Sequence, residues 1–177
     1  MGNFYTNVAL RGCPAGGAER LLRELGREAF VAELGDWTVV YDRECEKQDT
    51  AILGALAGRL AAELRAIALA VLNHDDDILW LHLYKGAALV AEYANRDGPR
   101  TRVRALCQAL GCPSAASEVW LLLRRPFVFQ MERHQQLAAA LGLPEASVGS
   151  GFDYISRGDL PKGVTREALK TVRSAGG

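Results

Sequence analysis

The chain has 177 residues, 49% of them apolar and 24% charged, with 21 Lys and Arg against 21 Asp and Glu. These values suit a soluble globular chain and exclude a polybasic nucleic-acid binder or an acidic disordered tail. No apolar run approaches the roughly 18 residues of a membrane span, and Met1–Thr6 lacks the basic start and apolar core of a signal peptide, so a cytoplasmic setting is expected. The charge balance is uneven along the chain: residues 1–97 carry ten basic against fifteen acidic side chains, and residues 98–177 carry eleven against six. Cys13, Cys45, Cys107 and Cys112 are expected as free thiols. No second Cys/His pair follows Cys107 and Cys112 at zinc-ligand spacing.

Tyr5–Leu10 alternates and is rich in strand formers, which predicts a first strand; the match of Gly2 and Thr6 to a myristoylation pattern is set aside because the segment enters the fold at once. Ala18, Leu21, Leu22 and Leu25 recur at helical spacing until Gly26. Ala29–Leu34 and Trp37–Asp42 read as strands joined by a Gly35-Asp36 turn. Asp49 or Thr50 can cap a longer helix whose stripe is Ile52, Leu53, Leu56, Leu60 and Leu64. Ile67–Leu72 reads as a central strand buried on both faces. Asn73–Asp77 forms a polar break, and strands follow at Ile78–Tyr84 and Ala88–Tyr93. Beyond residues 95–99 the pattern predicts three short helices, Thr101–Leu110, one through Ala116 to Leu123, and Phe127–Leu141, then a Gly-rich tail with a short helix at Thr165–Val172.

The expected fold class is therefore α+β. A ferredoxin-like split βαβ antiparallel sheet is extended by a hairpin over residues 1–97. Residues 98–177 form a C-terminal helical annex and tail packed with it as one globular unit.

Two clusters could carry chemistry. His74-Asp75-Asp76-Asp77 joins two apolar strands, and oxygen-rich clusters suit Mg²⁺ or Mn²⁺. Alternation along an extended backbone places Asp75 and Asp77 on one side, so a site would use His74, Asp75 and Asp77 with help from Asp42 or Glu92. The competing reading is a polar hairpin turn, which favours Asn and Asp. Trp80, His82 and Tyr84 alternate with Leu79, Leu81 and Leu83, which puts the three rings on one face. If the leucines pack on the two sheet-covering helices, the rings are exposed or lie under the annex. Exposed, they form a ligand-stacking or partner surface; covered by the annex, they form an amphipathic layer between two packed units. His134 sits mid-helix with no nucleophile motif nearby, and Gly149-Ser150-Gly151 lacks the Lys of a phosphate loop. Arg100, Arg102 and Arg104 share no helical face, so nucleic-acid binding is not expected.

The segments Asn3–Val8, Val39–Asp42, Val71–Trp80, Glu132–Gln135 and Leu141–Tyr154 together resemble a family of bacterial proteins to which no activity is attached. The resemblance implies a bacterial cytosolic context and supplies no site. With no catalytic constellation in view, the leading expectation is a non-enzymatic protein-interaction or regulatory module, adaptor-like or immunity-like, with a protein partner. Two alternatives are a Mg²⁺- or Mn²⁺-dependent hydrolase or phosphoryl-transfer enzyme using the His74–Asp77 loop, and a small-molecule sensor binding at Trp80, His82 and Tyr84.

Overall fold

Tyr5, Asn7 and Ala9 alternate with Thr6, Val8 and Leu10 along β1 (Tyr5–Arg11), so a single strand supplies side chains to both faces of a sheet. The computed structural model describes residues 2–96 and 102–174. After β1 come α1 (Ala15–Glu24), β2 (Ala29–Leu34), β3 (Trp37–Asp42), α2 (Thr50–Glu63), β4 (Ile67–His74), β5 (Ile78–Lys85) and β6 (Ala88–Ala94). These are followed by α3 (Val103–Ala109), α4 (Ala116–Arg124), α5 (Gln130–Leu141), α6 (Phe152–Ser156) and β7 (Leu169–Val172). The fold is α+β around a seven-stranded antiparallel sheet in the order β6-β5-β4-β1-β3-β2-β7.

Local signals account for most of these elements. The Asp49 side chain caps α2 by accepting from the backbone N–H groups of Ala51 and Ile52. Gly35 turns β2 into β3 with φ of +59°, a conformation that costs a glycine little. β4 is buried along almost its whole length because both of its faces are covered.

Each face of the sheet has its own core. On one side, Val8, Leu10, Val40, Ala68, Ala70 and Leu72 meet Leu21 and Leu22 of α1 and Leu53, Ala57 and Leu60 of α2. On the other side, Tyr5, Val39, Leu69, Val71, Leu79, Leu81 and Leu83 meet Leu106 of α3, Leu122 and Leu123 of α4, and Leu137 and Leu141 of α5. The space between sheet and helices on this second side closes to a residual void of ≈ 10 Å³ among Leu69, Leu81, Leu83, Leu106, Leu123 and Leu137.

Three expectations change. Thr165–Val172 is not a helix: its second half is β7, whose Leu169–Val172 pairs with Ala32–Ala29 of β2. The local pattern cannot register that β2 offers an open edge, and Val172 is buried there beside α1. The last long helix starts at Gln130 rather than Phe127, because Phe129 is extended at its N-cap position. The leucines of β5, not its rings, face α3–α5, so Trp80, His82 and Tyr84 lie on the α2 side.

The start of α5 is fixed from a distance. In the three-residue loop 75–77, Asp75 and Asp76 both adopt left-handed backbone (φ +53° and +57°), and Asp77 N–H donates to the His74 carbonyl at 3.0 Å. This turn carries the Asp76 carboxylate inward, where the residue is only 6% exposed. Its Oδ2 accepts from Asn3 Nδ2 (2.7 Å) and Asn3 N (3.2 Å); its Oδ1 accepts from Asn73 Nδ2 (2.9 Å) and from Met131 N (3.2 Å) in the first turn of α5. The Asp76 carbonyl accepts from Gln130 N at 2.9 Å. One residue thus ties the N-terminal segment, the β4–β5 hairpin and the positive end of a helix together.

Asp76→Asn retains the left-handed turn but replaces one acceptor oxygen by a donor. It should cost roughly 2–3 kcal/mol in urea unfolding, the range for buried hydrogen bonds to a charged group. Asp75→Asn and Asp77→Asn, both exposed, should each stay within about 0.5 kcal/mol of the native protein.

Candidate functional site

The aromatic row on β5 is assembled by period two and held by α2. Trp80 and His82 stack with ring centroids 3.8 Å apart, His82 and Tyr84 follow at 6.1 Å, and His82 Nδ1 lies 3.3 Å from the Tyr84 hydroxyl. Across the β5–β6 pairing, His82 Nε2 is 3.8 Å from Glu92 Oε2. Burial holds the His82 pKa below its ordinary value, with Glu92 opposing. Tyr84 is seated against two glycines of α2: a Cβ added at Gly54 would sit 2.9 Å from its hydroxyl, and one at Gly58 would sit 3.3 Å from its ring. All three rings are half-buried, so the row is a partly covered shelf rather than an open stacking platform.

The acidic loop does not assemble a ligand set. His74 is exposed and meets the Phe4 ring edge-on at 5.0 Å. Asp75 accepts from Gly2 N at 2.8 Å, and Asp77 is exposed. Asp42 is committed to Arg27, at 2.5 Å from Nη2 and 2.9 Å from Nε, and Glu92 faces His82. Among the described residues no group of three or more His, Cys, Asp or Glu side chains is placed to hold a metal ion. The carboxylate that matters in this loop is Asp76, which alternation along an extended strand sets apart from Asp75 and Asp77. The turn is not extended, and its left-handed residues redirect the side chains.

Polar groups under the second core act as pins. His134 is fully buried; its Nδ1 is hydrogen-bonded to the Tyr5 hydroxyl at 2.8 Å, and burial pushes its pKa down to about 3. Burial pushes Tyr5 upward, so its hydroxyl stays protonated. Tyr41 donates to the Ala146 carbonyl (2.9 Å), and Asn7 Nδ2 donates to the carbonyls of Ser147 (2.8 Å) and Ser150 (3.0 Å). Glu46, on a short 3-10 turn after β3, accepts from Phe152 N (2.8 Å) and from the Thr6 hydroxyl (3.3 Å). Burial raises the Glu46 pKa to about 7. Tyr41, Asn7 and Glu46 dock the segment after α5 onto β1 and β3, and the Tyr5–His134 bond holds α5 itself on β1. His134 is a structural joint rather than a base poised in a cleft.

Sequence reading passed over the outer face of α4. Val119, Leu122 and Leu123 are buried, while Trp120 and Leu121 are 46% and 60% exposed. In the turn that follows, Val128 and Phe129 are 81% and 50% exposed. Trp120 and Leu121 line an open groove of ≈ 400 Å³ with Val103 and Arg104 of α3 and Ala116 and Ser117 of α4. The Arg124 guanidinium lies 4.2 Å over the Trp120 ring. A signal was present: Val119–Leu123 is apolar without interruption, and a helix apolar on all sides has more surface to cover than one core can take.

No helix among the described residues is long and apolar enough to cross a membrane, and the four cysteines are free thiols. Comparison with protein-family models, curated proteins and solved structures gave no match.

The two titrating pins act with opposite sign. His134 is favoured neutral, so its share of stability is complete above the free-chain value of 6.5 and is lost as pH falls towards 3. Glu46 is favoured protonated, so its share is present below 4.5 and is lost as pH rises to about 7. Glu46→Gln keeps the acceptor for Phe152 and Thr6. It should gain on the native protein between pH 4.5 and 7, by roughly 2 kcal/mol at the upper end, in urea titrations at each pH.

Proposed function

We propose that this chain is a non-enzymatic protein-interaction or regulatory module, adaptor-like or immunity-like, working in a bacterial cytosol. The observation that carries this reading is the exposed apolar surface on α4 and the turn after it: Trp120, Leu121, Val128 and Phe129. Large apolar side chains grouped at a surface cost solubility and mark interaction sites. The interior polar groups support the same reading, because His134, Glu46, Asp42 and Asp76 are engaged in structural bonds. The proposal takes β1-α1-β2-β3-α2-β4 as a ferredoxin-like split βαβ unit, supported by the run β4-β1-β3-β2 within the sheet. It takes α3–α5 as a helical annex forming one unit with the sheet, supported by their shared core. The Trp80, His82 and Tyr84 shelf is a second contact area beside the α4 surface.

A photo-crosslinking residue at position 121, compared with one at exposed position 170 on β7, tests this in the cells that make the protein. The expected result is a reproducible protein adduct through position 121 that is absent through position 170. Free native chain should compete it away, and the Leu121→Asp chain should not. Identical adduct patterns at the two positions would remove the reading.

Metal-dependent hydrolysis or phosphoryl transfer at His74, Asp75 and Asp77 has weaker support, given the separation of those side chains from any further ligand. Mg²⁺ or Mn²⁺ added to chelator-treated protein should leave Tm unchanged. A saturable rise that disappears in Asp75→Asn/Asp77→Asn would establish the ion site instead.

A further inference from the structure

We propose that the groove between α3 and α4 receives an acidic amphipathic helix from a partner protein; this rests on the interaction reading above and names the partner's chemistry. The floor of the groove is apolar, from Val103, Ala116, Trp120 and Leu121, and its volume of ≈ 400 Å³ lies within the ~300–1,000 Å³ of clefts that seat apolar groups. The rim is basic. Between residues 102 and 129 stand Arg102, Arg104, Arg124 and Arg125, all exposed, against the single carboxylate of Glu118. Among the described residues none of these four arginines has a carboxylate within 4.0 Å.

Two of them are already held in place. Arg124 stacks on Trp120 at 4.2 Å, and Arg125 lies 4.6 Å over Phe127. Arg125 also donates from Nη2 to Gln136 Oε1 at 3.3 Å, whereas stacking orders the Arg124 guanidinium while leaving its N–H edge free to meet a carboxylate, so less entropy is lost when an acidic group arrives. A helix with apolar residues at i, i+3 and i+4 and acidic residues flanking them would place anchors on Trp120 and Leu121 and charges over the rim.

Other occupants fit less well. A second copy of the chain related by a two-fold axis would bring the same arginine-rich rim against itself. A lipid surface calls for a helix free to lie flat, whereas α4 is only nine residues long and holds Val119, Leu122 and Leu123 in the core.

The test uses the full chain and a panel of fluorescent helical peptides sharing one apolar face, with the polar face either Glu/Asp-rich or Lys-rich. It also uses vesicles of phosphatidylglycerol and of phosphatidylcholine. Acidic peptides should bind saturably, more weakly as salt rises, with amide shifts confined to α3, α4 and the turn before α5. Arg104→Glu/Arg124→Glu should weaken binding roughly tenfold or more and transfer preference to the Lys-rich peptides. Ser117→Trp, which obstructs the groove without touching its charge, should abolish binding of both peptide sets. Circular dichroism would confirm that each variant folds. Equal binding of the two peptide sets, or none by the acidic set, overturns the acidic-helix assignment. Binding to phosphatidylglycerol vesicles with no peptide binding gives the groove to membranes. If the position-121 crosslink to a protein persists while acidic peptides fail, the interaction reading stands and only the partner chemistry is wrong.

Discussion

The Asp76 carboxylate is the constraint on which the arrangement of the second core depends. It is buried and accepts four hydrogen bonds, from the chain start, from β4 and from the first turn of α5. A buried carboxylate must be satisfied by donors to be tolerated, so these partners cannot drift independently. Fixing the N-terminus of α5 fixes His134, one turn along, against Tyr5, and Leu137 against the leucines of β5. The left-handed Asp75-Asp76 turn is what delivers that carboxylate inward.

The two faces of the sheet are built on different principles. The α1/α2 side is mainly apolar, with Ala57, Ala61, Ala68 and Ala70 permitting close approach, and its polar contacts, such as the Arg27–Asp42 ion pair and the Thr38–Cys13 hydrogen bond, are few. The α3–α5 side mixes leucines with Tyr5, Asn7, Tyr41 and Asn73, and its polar groups specify which backbone carbonyls and N–H groups come to rest on which strand. Hydrophobic burial holds the helices on the sheet, while the polar bonds set their register. Because this side has both an apolar filling and directional pins, its interior is closed, and the surface left for contact lies on the outside of α4.

That division explains where chemistry is and is not found. Groups with displaced pKa values are often functional, but here His134 and Glu46 are displaced by burial within structural joints, with hydrogen-bond partners already in place. The uncommitted features are peripheral: the arginines of α3 and α4, the exposed Trp120 and Leu121, and the half-covered ring row on β5.

Composition and periodicity by themselves determined the α+β class, the first six strands, α1 and α2, and three helices beyond residue 101, because alternation and the helical repeat are local properties of the chain. They placed Trp80, His82 and Tyr84 on one face, since period two needs only neighbours. They did not decide which face: that depends on which helices lie above β5, a matter of long-range packing. The same holds for β7, whose strand form exists only because β2 has an edge to pair with. It holds for Asp76, whose value depends on Met131, 55 positions away, meeting a turn that points inward. The outer face of α4 was legible in composition, as five consecutive apolar residues, but its exposure was not. Which side of an apolar helix is buried is settled only when the sheet and the neighbouring helices have taken their places.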